Sequence, residues 1–270
     1  MPYNNRTTRM RTSDPSSASA RLLLLALTCG LGCQAQYVGI SANRPTGSAS
    51  VSANGLVASY DMESLTEDGH LRDFSGNRNN GTFTRNQLVD GLFGKARHFS
   101  SVEDRVSLAS NPTLDIKGPL SIVAWVRIAT PGLHQHIVAC DNRFAFWFTP
   151  LDQLRLVDTK ADGLMTYWRV AKDRWYSLIG VFDGTEGDLL TQSNIRIYVD
   201  GETVPVVQGR DITGIWGKGP LFPTDACSIG FESHQGLPDH QNLPFSGDID
   251  ELLIFNRALT EPEARALAKH

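Results

Sequence analysis

The sequence predicts an all-β fold, a sandwich of antiparallel strands closed by one short C-terminal helix. Three observations predict it. From Gly55 onward short β-like runs recur, among them "LVASYDM", "RVSLA", "LSIVAWVRI", "FAFWFTP", "QLRLVD", "RWYSLIGVFDG", "NIRIYVDG" and "IDELLIFN", each bounded by Gly, Asp, Asn or Pro clusters. Within those runs apolar residues alternate with period two. No helical pattern competes until "ALTEPEARALAKH" at the end.

The alternation assigns faces. In "NIRIYVDG", Ile195, Ile197 and Val199 share one side and Arg196 and Tyr198 the other, and Asp200-Gly201 supplies a hairpin turn that suits positive φ. "LSIVAWVRI" is apolar on both faces and reads as a central strand. "RFAFWFTP" puts Phe144, Phe146 and Phe148 on one face, where they fill a sandwich interior. At the C-terminus Thr260 stands three residues before Glu263 as a capping box, and Pro262 fits the first turn of the helix that follows.

Composition bounds the class. The 270 residues, 41% hydrophobic and 20% charged, suit one large soluble domain. The net charge is -4, and four arginines in the first 35 residues leave the remainder more acidic still. An acidic body with no basic stripe has no counterion-release drive toward nucleic acid, so nucleic acid is excluded as a partner class.

Residues 1–35 read as a signal peptide, because "LLLLALTCGL" after Arg21 has the length of a secretory apolar region and is too short to span a bilayer. Cleavage after Ala35 gives a free exported chain. Cleavage before Cys33, where Gly32-Cys33 resembles the end of a bacterial lipoprotein signal, gives a lipid anchor. The expected location is therefore secreted or at the surface of a bacterial envelope, with no membrane span in the mature chain. Residues 36–54, rich in Ser, Gly, Ala and Asn, read as a flexible linker, and 55–270 as the folded domain. Two cysteines remain in the exported body. Cys140 and Cys227 either pair in one disulfide, as an oxidising compartment favours, or stay separately buried.

In order along the chain, "GLVASYDME", "LRDFSGNRNNGTFT", "GLFGKARHFSSVEDRVSLASNPTLDIKGPLSIVAWVRI", "KDRWYSLIGVFDG", "IRIYVDGE", "CSIGFE" and "FSGDIDELLIFNRALTEPEARAL" resemble the laminin-G-like domains of the concanavalin A-like lectin and glucanase superfamily. The resemblance is to its bacterial secreted branch and covers nearly all of the exported chain. It implies a two-sheet antiparallel jelly-roll sandwich, commonly with calcium at its rim, and roles in carbohydrate binding or adhesion. The fold also hosts glycosidases, so function has to be argued from sites.

A laminarinase-type site would place Glu-x-Asp-x-Glu on one strand. The matching register here is Asp248, Asp250 and Leu252, which lacks the third acid, and alternation turns Glu251 to the other face. Calcium takes six to eight oxygen ligands, which suits the Asp/Asn/Gly loop "RDFSGNRNNGT". In the resembling domains this loop, the acid after the first strand and the Asp of the final strand lie near one another, which implies Glu63, Asp73, Asn80 and Asp250 as metal ligands. The same residues also suit a simple turn, with Asp250 capping backbone amides.

Sugar binding needs an exposed ring to stack on and polar groups that fix orientation. Trp125, Trp147 and Trp175 lie in strand runs and are expected inside. Trp216 in "DITGIWGKGPLFPTD", Trp168 in "MTYWRV", and His234, Asp239 and His240 in "ESHQGLPDHQN" are the candidate ligand contacts. His134 and His136 in "LHQHIV" would share a strand face. No nucleophile elbow, phosphate loop or zinc pattern occurs. The expectation is a non-catalytic module that binds a glycan or another extracellular polymer, the alternatives being a glycosidase or lyase and a structural surface protein without a small ligand.

Overall fold

The computed structural model describes residues 51–140, 144–157, 164–208, 227–231 and 244–269. Sixteen strands occur among them. They are β1 (Leu56–Tyr60), β2 (Gly81–Phe83), β3 (Gln87–Asp90), β4 (Lys95–Phe99), β5 (Val106–Leu108), β6 (Leu120–Ile128), β7 (Gln135–Cys140) and β8 (Phe144–Phe148) in the first half. The second half adds β9 (Gln153–Val157), β10 (Leu164–Arg169), β11 (Trp175–Phe182), β12 (Ile195–Val199), β13 (Glu202–Val204), β14 (Val206–Gln208), β15 (Cys227–Ile229) and β16 (Gly247–Phe255), and helix α1 (Glu261–Leu267) follows.

The strands form two antiparallel sheets. The first runs β13-β12-β11-β6-β16-β4-β3, with β1 also paired to β16, and the second runs β14-β10-β9-β8-β7-β15-β5-β2. Consecutive hairpins in each sheet are joined by pairs distant in the chain, such as β6-β16 and β7-β15, as in a jelly roll. Burial of the facing sides supplies the main driving force. Phe144, Phe146 and Phe148 are all fully buried in the same cluster as Ile122, Ile195, Ile197 and Ile254, as the period-two stripe requires. Cys140 and Cys227 sit directly opposite each other on β7 and β15 and form a disulfide.

A smaller cluster seals part of the outer face of the first sheet. Val123, Ile179, Tyr198, Leu253 and Phe255 are covered there by Leu259, Ala264 and Leu267 from the C-terminal segment. The helix start has both halves of the expected capping box, between Thr260 and Glu263. Val51, expected in the linker, is buried in this cluster, and Arg257 donates to the carbonyls of Ser52 and Asn54. The folded unit thus begins upstream of Gly55. At the β12–β13 hairpin Asp200 and Gly201 both take positive φ, 50° and 83°, the conformation their sequence suits.

The register shifts on β1, β7, β10 and β16, and the shifts on β7 and β16 decide which face the candidate site residues take. On β7 the register slips between His136 and Val138, so Ile137 and Val138 both enter the core while His136 pairs with Trp147. On β16 it slips between Asp250 and Leu253, with Glu251 at a φ of 46°. Leu252 consequently joins the core and Leu253 the outer cluster. The expectation that Leu252 continues the face of Asp248 and Asp250 is corrected: Leu253 does, and it is no more an acid than Leu252.

Candidate ligand-binding site

The outer face of the second sheet carries a cross-strand row of His136 on β7, Trp147 on β8 and Arg155 on β9, each directly opposite the next. Alternation from the buried Phe146 and Phe148 turns Trp147 outward. His134, just before β7, stacks on it with ring centroids 4.1 Å apart and an interplanar angle of 18°. His136 lies 5.3 Å from the Trp147 ring at 20°, and 5.3 Å from His134. The Arg155 guanidinium stands 5.1 Å from the Trp147 centroid, within cation–π range. His136 and Arg155 are buried, whereas His134 and Trp147 are half-buried. Exposed Leu133 and Leu151 stand beside this cluster, on loops joined by the Gly132 amide donating to Asp152 Oδ1 at 2.5 Å.

Trp147, expected inside, packs against the main core from the outer face and stays half-buried. The sequence held the signal, since Trp147 alternates with a phenylalanine stripe that fills the core. Trp125 is buried as expected, on the outer side of the first sheet, with Phe93 edge-on at 5.4 Å. Trp175 is half-buried, with the Arg127 guanidinium 5.0 Å from its ring. Trp168 rests on the core with its ring edge-on to Tyr176 at 4.9 Å. Trp216, His234, Asp239 and His240 lie outside the described residues.

The carboxylates of the last strand are engaged in the framework. Asp248 Oδ1 is 2.7 Å from His98 Nδ1, and its Oδ2 accepts from Arg127 Nε at 2.8 Å. Asp250 is fully buried, and its Oδ2 accepts from the amides of Leu92 and Phe93. Burial pushes its pKa up to about 6, opposed by those amides and reinforced by the like charge of Glu63.

The four expected metal ligands divide between two places. Asp73 Oδ1 accepts from the amides of Ser59 and Ser75, and its Oδ2 from the Asn79 amide and the Ser75 hydroxyl. Asn80 Oδ1 accepts from the Asp73 amide. Asp73 therefore ties the loop to β1 as well as to itself, and Asn80 ties it internally. Glu63, which accepts from the Lys95 amide, acts instead on Asp250. Among the described residues no group of three or more His, Cys, Asp or Glu side chains gathers as a metal-binding cluster. No helix among them is long and apolar enough to cross a membrane.

Several solved structures share the architecture. The fourth domain of AbnA, an extracellular arabinanase from Geobacillus stearothermophilus solved with arabinotriose, superposes with a TM-score of 0.53 at 20% identity, over 79% of this chain and 98% of that one. The Trypanosoma rangeli sialidase with the inhibitor DANA gives 0.54 at 15% identity, over 82% of this chain and 33% of the sialidase. A botulinum neurotoxin type C structure, from work on its dependence on two ganglioside molecules for cell entry, gives 0.53 at 17%, over 79% and 50%. At these identities the likeness is one of fold. Comparison with curated proteins gives no match. The family model described as the concanavalin A-like lectin/glucanases superfamily matches residues 100–265, most of the two-sheet sandwich, and the chain belongs to that superfamily.

Proposed function

We propose that this protein is a non-catalytic extracellular module that binds a glycan, through the outer face of its second sheet. The observation that carries the reading is the parallel stack of His134 on Trp147, half-buried at the outer face and underlain by the buried His136 and Arg155. A partly exposed ring of this kind can meet the C–H face of a sugar, and the half-buried His134 imidazole supplies a polar group for its hydroxyls. The fold's likeness to a domain solved with arabinotriose is consistent with this reading. Exported glycan polymers are the partner class, and a lipid anchor at Cys33 would hold the module at the cell surface.

Against an enzyme stands the state of the paired acids. Glycoside hydrolysis needs two carboxyl groups facing each other across an open cleft. Asp248 has both oxygens engaged and Asp250 is fully buried. A structural calcium fits Glu63 and Asp250 better than Asp73 or Asn80, because Asp250 Oδ1 is buried with no hydrogen-bond partner among the described residues. Carbonyls and water would complete the shell of such an ion.

A glycan array probed with the purified full-length protein, with calcium and with chelator, tests the reading. Binding to a restricted set of glycans that is lost in Trp147→Ala is the expected result. An empty array in both conditions, or release of reducing sugar from a polysaccharide panel, overturns it.

A further inference from the structure

The sequence contains two Asn-Gly pairs, Asn54-Gly55 and Asn80-Gly81, and the fold treats them oppositely. An asparagine before glycine can close on itself, because the glycine amide reaches the side-chain carbonyl carbon with no Cβ in the way. At Asn80 that route is barred. Gly81 begins β2 and its amide donates to Leu71 O at 2.9 Å, while Asn80 Oδ1 accepts from the Asp73 amide at 2.9 Å. At Asn54 it is open. The residue stands exposed in the turn before β1, where the Leu56 amide donates to Ala53 O at 3.0 Å and Gly55 takes a φ of 74°. Among the described residues neither the Asn54 carboxamide nor the Gly55 amide takes part in a hydrogen bond.

The reactive pair sits on the clasp that holds the N-terminal segment. Asn54 O accepts from Arg257 Nε at 2.7 Å and Ser52 O from Arg257 Nη2 at 3.3 Å, and the same guanidinium pairs with Glu263. Gly55 O accepts from the Asn256 amide at 2.8 Å. The turn packs closely on these partners: a Cβ at residue 55 would meet Asn256 Oδ1 at 2.8 Å and Arg257 Cγ at 3.1 Å. A backbone lengthened by a carbon between residues 54 and 55 cannot keep both carbonyls in place.

We propose that Asn54-Gly55 is a self-modifying site, at which loss of the side-chain amide slackens the clasp between the N-terminal segment and the C-terminal helix. The Gly55 amide nitrogen gives its proton to hydroxide and attacks Asn54 Cγ. The N–Cγ bond forms, the bond from Cγ to the amide nitrogen breaks, and ammonia leaves with a proton from water. Water then opens the succinimide at either carbonyl. One product is aspartate on the original backbone. The other is isoaspartate, in which the chain runs through Cγ and the former main-chain carbonyl is a carboxylate that competes with Glu263 for Arg257. Nothing is oxidised or reduced, and the proposal is independent of the Trp147 site. To test it, the full-length protein is incubated in mildly alkaline buffer and digested at intervals, and the peptides around residues 54 and 80 are compared by mass spectrometry. A parallel sample is kept unfolded in urea. Conversion of Asn54 at least about ten-fold faster than Asn80 is expected in the folded protein, the factor implied by the two hydrogen bonds that Asn80 must first break, with near-equal rates in urea. Equal rates in the folded protein, faster conversion at Asn80, the same advantage for Asn54 in urea, or an Asn54 that stays intact while the unfolded chain converts overturns the proposal. Hydrogen exchange reads the effect on the clasp. The Asn256 amide of converted protein is expected to exchange about ten-fold faster than that of Asn54→Gln aged alongside, whose longer side chain does not cyclise on this timescale. Exchange at Asn256 unchanged after full conversion overturns the link to the clasp.

Discussion

The carboxylate of Asp250 holds the turn at Leu92 and Phe93, accepting their amides at 2.9 and 3.0 Å across more than 150 residues of chain. That contact caps the buried Trp125 with Phe93, so the carboxylate closes one end of the outer face of the first sheet.

The pKa of this group, raised to about 6 chiefly by burial, makes stability fall with pH. The folded state favours the protonated form, so the contribution is complete below the ordinary carboxylate range and is lost as pH rises through about 6. Two pKa units correspond to roughly 3 kcal/mol. Asp250→Asn keeps an acceptor for the two amides, and its urea midpoint is expected to be flatter than that of the wild type between about pH 4 and 7. Calcium bound between Glu63 and Asp250 would restore stability at the upper end of that window. An identical profile in calcium and in chelator would leave the cation without support.

Reduction of Cys140–Cys227 is expected to destabilise the sandwich. The bridge closes a loop of 87 residues, which in the chain-entropy picture limits the unfolded state by about 4 to 5 kcal/mol at most. Cys140→Ala/Cys227→Ala should lower the urea midpoint in oxidising buffer and abolish its sensitivity to dithiothreitol. A midpoint unchanged by reductant in the wild type would contradict the bridge.

Trp147→Ala should abolish glycan binding and lower the melting temperature by less than truncation of the fully buried Phe146 or Phe148, because the half-buried ring packs on the core from outside. Titration of a glycan identified on the array, followed by calorimetry, checks both halves. A large loss of stability would show that the ring serves packing instead.

Much of this arrangement was legible in the sequence, and what was not has a physical cause. Alternation placed Phe144, Phe146 and Phe148 in the core, and the Thr260–Glu263 box and the Asp200-Gly201 turn appear as their residue types require. Period-two reasoning fails wherever one extra residue enters a strand. The bulges at Ile137 and Glu251 send His136 outward and Leu252 inward, and neither carries a glycine or proline to announce it. The loop acids misled differently. Asp73 sits among Asn and Gly residues, a composition shared by metal loops and plain turns, and only its hydrogen bonds, three within the loop and one from Ser59 on β1, assign it to the framework.

Asp248 links three strands, and its removal is expected to cost more than the sum of surface contacts suggests. The carboxylate is 8% exposed and touches His98 and Arg127, which are each about one-third exposed. Asp248→Ala leaves both partners without their acceptor, at about 1 to 3 kcal/mol. In a double-mutant cycle with His98→Ala the coupling energy should be positive and on the order of 1 kcal/mol. Strict additivity would mean that the His98 contact contributes nothing.

The helix cap offers the opposite pH signature from Asp250. Glu263 is held near a pKa of about 2, first by its paired hydrogen bonds with Arg257 and then by the Thr260 amide and hydroxyl. A depressed carboxylate contributes stability above its unfolded pKa and loses it as pH falls toward about 2. Arg257 also donates to Ser52 and Asn54 carbonyls, so the same ion pair ties the N-terminal segment to the start of the helix. Partial solvent exposure trims the value of the pair to about 1 to 2 kcal/mol. Glu263→Gln should therefore lower the urea midpoint at neutral pH and converge with the wild type in acid. Hydrogen exchange should quicken first at Val51 and Leu259, whose burial depends on that docking. A variant whose deficit persisted unchanged at pH 2 would place the cost in packing and not in the charge.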